Sequence, residues 1–219
     1  MATRTSTWGV PIALVALATV PVIAGSLRLV DLSTGSAVLP PNPRFSASPL
    51  PVVIHIVSAT VFAMLGAFQF SARFRRRHRA WHRRAGRIVM VAGLGVALSA
   101  LWMNQFFPRA ATARELVYPL RLVFALAMVV TIALGFLAAR RRDFADHRAW
   151  MIRTYAIGIV AGTQVFTLGI GGATFGHGDV TTALLLAAAW AINLTVAEWT
   201  IRKRPRRRTP SASPQVAMP

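Results

Sequence analysis

The chain has 219 residues, 55% of them hydrophobic and only 14% charged, with 25 Lys+Arg against 6 Asp+Glu. A soluble domain carries about 25% charged residues, and the mean hydropathy here is positive, at +0.52, so an ordinary soluble domain is excluded and a membrane protein with clustered basic residues is indicated. Cysteine is absent, which excludes disulfides, thiolate metal sites, iron–sulfur clusters and cysteine nucleophiles.

A helix needs about 20 apolar residues to cross the hydrocarbon core, and six stretches qualify. The first span is expected at about 7–28, within an uncharged run from 5 to 27. That run is longer than the apolar core of a signal peptide, so it reads as a retained helix. The second, about 51–73, has His55 as its one ionisable residue before Arg73. The third, about 87–108, opens at Arg87. The fourth, about 116–139, is interrupted by Arg121. The fifth, about 152–175, is uncharged beyond Arg153. The sixth, about 180–201, carries Glu198 near its end.

Backbone groups in lipid must pair within the segment, and these runs are continuously apolar where barrel strands would alternate. The expected fold class is all-α: a polytopic transmembrane bundle of six helices forming one domain over 1–201. The tail 202–219 opens Arg202-Lys203-Arg204 and continues with Pro, Thr and Ser. It cannot bury a core and is expected to be disordered, lying against anionic lipid.

Orientation follows from the loops. Segments 1–7, 73–87, 140–153 and 202–219 share one side and hold 20 basic residues, whereas the opposite segments hold 5. The positive-inside rule then puts both termini in the cytoplasm. It also accounts for most of the net charge of +19 without a nucleic-acid partner. Two of the basic loops look alike. Each has an Arg triplet, at 75–77 and 140–142, and each has His-Arg-Ala-Trp, at 78–81 and 147–150. They read as two helix hairpins of the same sense.

Ionisable residues at membrane depth are functional candidates by default. His55 lies on a face that continues through Ser58, Phe62, Gly66 and Gln69, and this polar or small stripe is expected to face the interior. His82 and His147 stand at equivalent cytoplasmic entrances, to spans three and five. Two histidines at one depth suit a haem iron. Arg87 and Arg153 open those spans and suit an anion or a lipid phosphate. Gln69, Arg121, Gln164, Asn193 and Glu198 are interior polar candidates. Glu115 is a candidate partner for Arg121, and Arg202, four residues on, for Glu198. Asn104 and Gln105 are expected to make cross-helix hydrogen bonds.

Asp143 and Asp146 are placed to begin the fifth helix or pair with nearby arginines. Gly158 and Gly162 form a small face where another helix approaches. The run Gly169-Ile170-Gly171-Gly172 is expected to loosen or end that helix. No phosphate-binding Gly-Lys-Ser/Thr loop, His-Glu-x-x-His helix or Gly-x-Ser-x-Gly elbow is present, and no carboxylate pair lies within the spans.

Four stretches carry a resemblance: His55-Ile56 with Gly66-Ala67-Phe68-Gln69-Phe70, His82-Arg83 with Gly86-Arg87, His147 to Ala156, and Asn193 to Trp199. Together they resemble a bacterial family of predicted membrane proteins, domain-of-unknown-function family 2306. The resemblance implies a polytopic membrane fold and transfers no reaction.

The placement of His82 and His147 is also similar to cytochromes of the b561 type, where histidine pairs on neighbouring helices clamp haems. A second pair is missing here, because His55's one candidate partner, His177, lies in a Gly-His-Gly loop. The expected function is therefore a multi-pass plasma-membrane redox protein, binding one b-type haem or a quinone and meeting a membrane redox partner. No metal beyond haem iron is expected. The alternatives are a transporter for a small solute, proton or ion, and a non-catalytic protein acting through lipid or protein contacts. The sequence does not decide whether the protein is an enzyme.

Overall fold

The computed structural model describes residues 8–108 and 116–203. Expectations about Glu115 and most of the basic tail fall outside them. The described residues contain helices and no strand: α1 (Gly9–Thr34), α2 (Pro43–Ala47), α3 (Pro49–Gln69), α4 (Ala72–Arg77), α5 (Arg79–Phe106), α6 (Val117–Arg140), α7 (Phe144–Gly158), α8 (Val160–Phe175) and α9 (Asp179–Arg202). Five of these, α1, α3, α5, α6 and α9, are long and apolar enough to cross a membrane. The pair α7 and α8 is bent by 42° at the break between them, and taken as one span it brings the candidate crossings to six. Large apolar side chains such as Val91, Val123, Ile170 and Leu184 are exposed around the bundle, as lipid-facing positions are.

Local chemistry sets the helix ends. α3 starts on Pro49 and Pro51, whose missing N–H groups cost nothing in a first turn. α1 stops at Gly35, whose φ of +72° suits a left-handed cap. Asp143 caps α7, its carboxylate accepting from the Ala145 and Asp146 amides at 3.2 and 3.0 Å. In the last turn of α1, the Asp31 carboxylate accepts from the Val38 and Leu39 amides and the Ser36 hydroxyl. This carboxylate folds residues 35–39 back over the end of the helix.

Several element ends differ from the spans expected above, and the glycine run of the fifth span does not behave as expected. α3 stops at Gln69 and hands over to the basic helix α4. α5 starts at Arg79, so Arg87 lies about two turns inside it. The glycine run 169–172 neither loosens nor ends its helix, because α8 continues to Phe175. Gly171 and Gly172 instead give room to the Leu185 side chain and the His177 ring.

α7 is central and touches α3, α5, α6 and α9, while α1 packs on α3 and α8. Phe62, 2% exposed, fills the middle of the bundle. It lies against Gly93 and Gly158. Met128 and Ile132 of α6 reach the same two glycines. A Cβ at Gly158 would collide with these side chains, and one at Gly93 would press tightly on them, so both glycines favour the close approach of α3, α5 and α7.

Candidate functional site

The polar candidates divide between the two ends of the bundle. Toward the end away from the basic loops, His55 Nδ1 lies 3.0 Å from Ser99 Oγ. The Ser99 hydroxyl is also 2.5 Å from the Gly95 carbonyl. A hydroxyl has one proton, and the carbonyl can only accept it. His55 Nδ1 is therefore the donor to Ser99. His55 thus ties α3 to α5. The same face carries Ser58 against Gly95, buried Phe62 and Gly66 beneath the Tyr155 ring, so it is an interior face. Asn104 donates to the Tyr118 carbonyl at 3.2 Å, and Tyr118 donates to Gln105 at 2.9 Å; these link α5 to α6. Arg121 is exposed on α6. Gln164 is half-buried.

At the basic end, His82 and His147 are each the fourth residue of their helices, α5 and α7. His147 Nδ1 lies 2.8 Å from the Gly135 carbonyl of α6. A carbonyl accepts, so Nδ1 carries the proton of this bond, and in the neutral tautomer Nε2 keeps its lone pair. The absence of a side chain at Gly135 also makes room for Met151. His82 Nδ1 is buried and has no hydrogen-bond partner, as are both amide atoms of Gln69. Arg75, Arg83 and the His147 ring are the electrostatic neighbours of His82.

Arg153 does not stand free for an anion. Its Nε and Nη2 donate to the two carboxylate oxygens of Glu198 at 2.6 and 3.0 Å, and its guanidinium lies 4.7 Å from the centre of the Trp150 ring. The partner of Glu198 in this hydrogen-bonded pair is therefore Arg153 on α7 rather than Arg202 one turn along α9. The planar fork of an arginine matches both carboxylate oxygens at once when it comes from a neighbouring helix. Arg87 is exposed on α5. Among the described residues no group of three or more His, Asp or Glu is arranged to hold a metal ion.

Residues 52–201 match the family model described as "Predicted membrane protein (DUF2306)". The chain belongs to this family. The DUF2306 region begins within α3 and ends within α9, so it holds His55, His82, His147, Arg153 and Glu198 and leaves α1 outside. The family description names a membrane protein and no reaction. The comparisons with curated proteins and with solved structures returned no match.

Within the DUF2306 region, two residues matter that the sequence reading did not weigh. Tyr155 sits at the crossing of α7 and α3. Its hydroxyl donates to the Ala63 carbonyl at 2.8 Å, and its ring lies 5.4 Å from Phe62 and 4.9 Å from Phe70, centre to centre. Thr163 donates to Asn193 Oδ1 at 2.7 Å, and Asn193 Nδ2 donates to the Ala156 carbonyl at 2.9 Å. Tyr155 belongs to the string that carried the family resemblance, and that was its one sequence signal. Thr163 had none.

Proposed function

We propose that the protein is a plasma-membrane redox protein, its basic end toward the cytoplasm, in which His82 and His147 together take one b-type haem. The observation that carries this reading is the state of His147. Its Nδ1–H is held by a backbone carbonyl, the arrangement by which proteins orient an imidazole whose other nitrogen meets a metal. His82 supports it, with a buried nitrogen lacking a protein partner and His147 among its electrostatic neighbours. A neutral imidazole from the same turn of each of two helices is a donor set that suits haem iron.

Neither cavity described, one of about 570 Å³ along Leu194–Lys203 and one of about 220 Å³ beside Asp31, is lined by His82 or His147. Haem binding would need room between the first turns of α5 and α7, where both histidines stand. When bound, haem would supply one-electron chemistry. The chain's own part is to hold two imidazoles in place and to offer Arg75 and Arg83 as cations for the carboxylates of the ligand.

The test is titration of purified protein with haemin in detergent. One equivalent is expected to shift the Soret band. His82→Ala or His147→Ala abolishes that shift, and His55→Ala, whose ring is engaged with Ser99, leaves it. Absence of a shift, or a shift indifferent to both variants, overturns the reading. A second reading rests on a separate observation: Arg76, Arg77, Arg79, Arg83, Arg84 and Arg87 are all exposed at this end. Such a collar attracts anionic lipid. On that reading the protein acts through lipid contact, and charge-neutral substitutions in 76–87 lower its retention by anionic bilayers relative to neutral ones.

A further inference from the structure

α8 and α9 run antiparallel, and two contacts fix their register. Thr163 meets Asn193, and Gly171 meets Leu185. Each pair of positions on one helix is eight residues apart. Midway on α8 stands Thr167, and midway on α9 stands Ala189, fully buried, with Trp190 next to it at 7% exposed. Thr167 Oγ1 and Trp190 Nε1 are both buried, and neither has a hydrogen-bond partner among the protein atoms. Side chains lean toward the N-terminus of their own helix. In an antiparallel pair this brings Thr167 and Trp190 to one level. The indole is held in place by stacking on Phe124 of α6, 4.3 Å away and 6° from parallel.

A buried N–H and a buried hydroxyl without partners are costly, more so where lipid rather than water surrounds the bundle. The helix register puts the two at one level, where a shared partner would satisfy both. We propose that one water molecule is bound between α8 and α9 at this level, accepting the Trp190 Nε1–H and donating to Thr167 Oγ1. One turn along α8, Thr163 gives its own proton to Asn193 Oδ1, and its oxygen keeps lone pairs for the second proton of the water. Three polar partners match the usual coordination of a buried water. The seam then carries a hydrogen-bonded chain from Trp190 through the water, Thr163 and Asn193 to the Ala156 carbonyl.

The test uses full-length protein with ¹⁵N-labelled indoles in lipid nanodiscs. Trp190→Phe assigns the Trp190 resonance. Wild type is expected to show magnetisation transfer between bulk-exchanging water and the Trp190 Nε1–H. Thr167→Val loses it and melts at a lower temperature, while Thr167→Ser, which keeps a hydroxyl, retains it. No transfer in wild type overturns the proposal. So does transfer that persists in Thr167→Val, and so does a Thr167→Val protein that melts at or above the wild-type temperature, since deleting a truly unpaired hydroxyl relieves a cost.

Discussion

At the scale of single residues, Pro21 and Gly162 explain one another. Proline has no N–H, so Pro21 leaves the carbonyl four residues earlier without its helical donor. That carbonyl belongs to Leu17, and it is the backbone atom that lies against Gly162 of α8. With no Cβ at 162, α8 comes close enough for its Cα–H to face the oxygen, a weak but real contact. Gly162→Ala drives a methyl into a backbone oxygen that cannot swing aside. It is expected to cost about 1–3 kcal/mol, the usual range for overpacking. Gly86 provides the control, because a Cβ there meets nothing and alanine is the better helix former by about 1 kcal/mol. Melting of the two variants in one detergent checks both signs: Gly162→Ala falls and Gly86→Ala holds or rises.

At the scale of elements, the bend between α7 and α8 has a cause spread over two helices. Ala156 is the acceptor Val160 would use in a straight helix, and the Asn193 amide donates to it from α9. The same side chain accepts from Thr163 beyond the bend. A side chain inserted beside a glycine is a recognised source of a kink, and Gly158 stands there. Asn193→Leu removes both bonds, at an expected cost of about 1–2 kcal/mol; equal stability of the variant would show that Asn193 does not hold the bend.

Arg153 and Glu198 join α7 to α9 nearer the basic end. Their side chains are 27% and 34% exposed, so the pair is partly screened. A double-mutant cycle is expected to give less than about 1 kcal/mol of coupling, falling as salt is raised. Coupling that ignores salt would place the pair in a drier site than its exposure implies.

These elements also show what the sequence could convey. Apolar runs near 20 residues locate the helices because lipid tolerates little else. The break at Ile159 leaves no such mark, since its determinant, Asn193, is more than 30 residues away. The glycine run 169–172 misleads because a glycine in a membrane helix is used for close packing, here of Leu185 and His177. Arg202, one turn from Glu198, looks the nearer partner in sequence, yet Arg153 arrives from another helix with better geometry. The histidines were legible as candidates, but not that His55 binds Ser99 while His147 binds a backbone carbonyl.

At the scale of the whole molecule, an apolar girdle and one strongly basic end predict that this end faces the cytoplasm. The absence of cysteine makes single-cysteine labelling clean. In oriented membrane vesicles or intact cells, Ser36→Cys is expected to react with an impermeant maleimide from outside, and Arg141→Cys only after permeabilisation. The reverse pattern would invert the topology and remove His82 and His147 from the cytoplasmic side. The functional account rests on these two histidines meeting a haem at that end. The most direct measurement is a reduced-minus-oxidised spectrum of the protein purified in mild detergent from cells supplied with haem precursor. The account predicts a b-type α band in near-stoichiometric amount, lost in His82→Ala and in His147→Ala. A featureless spectrum from well-folded protein would contradict it.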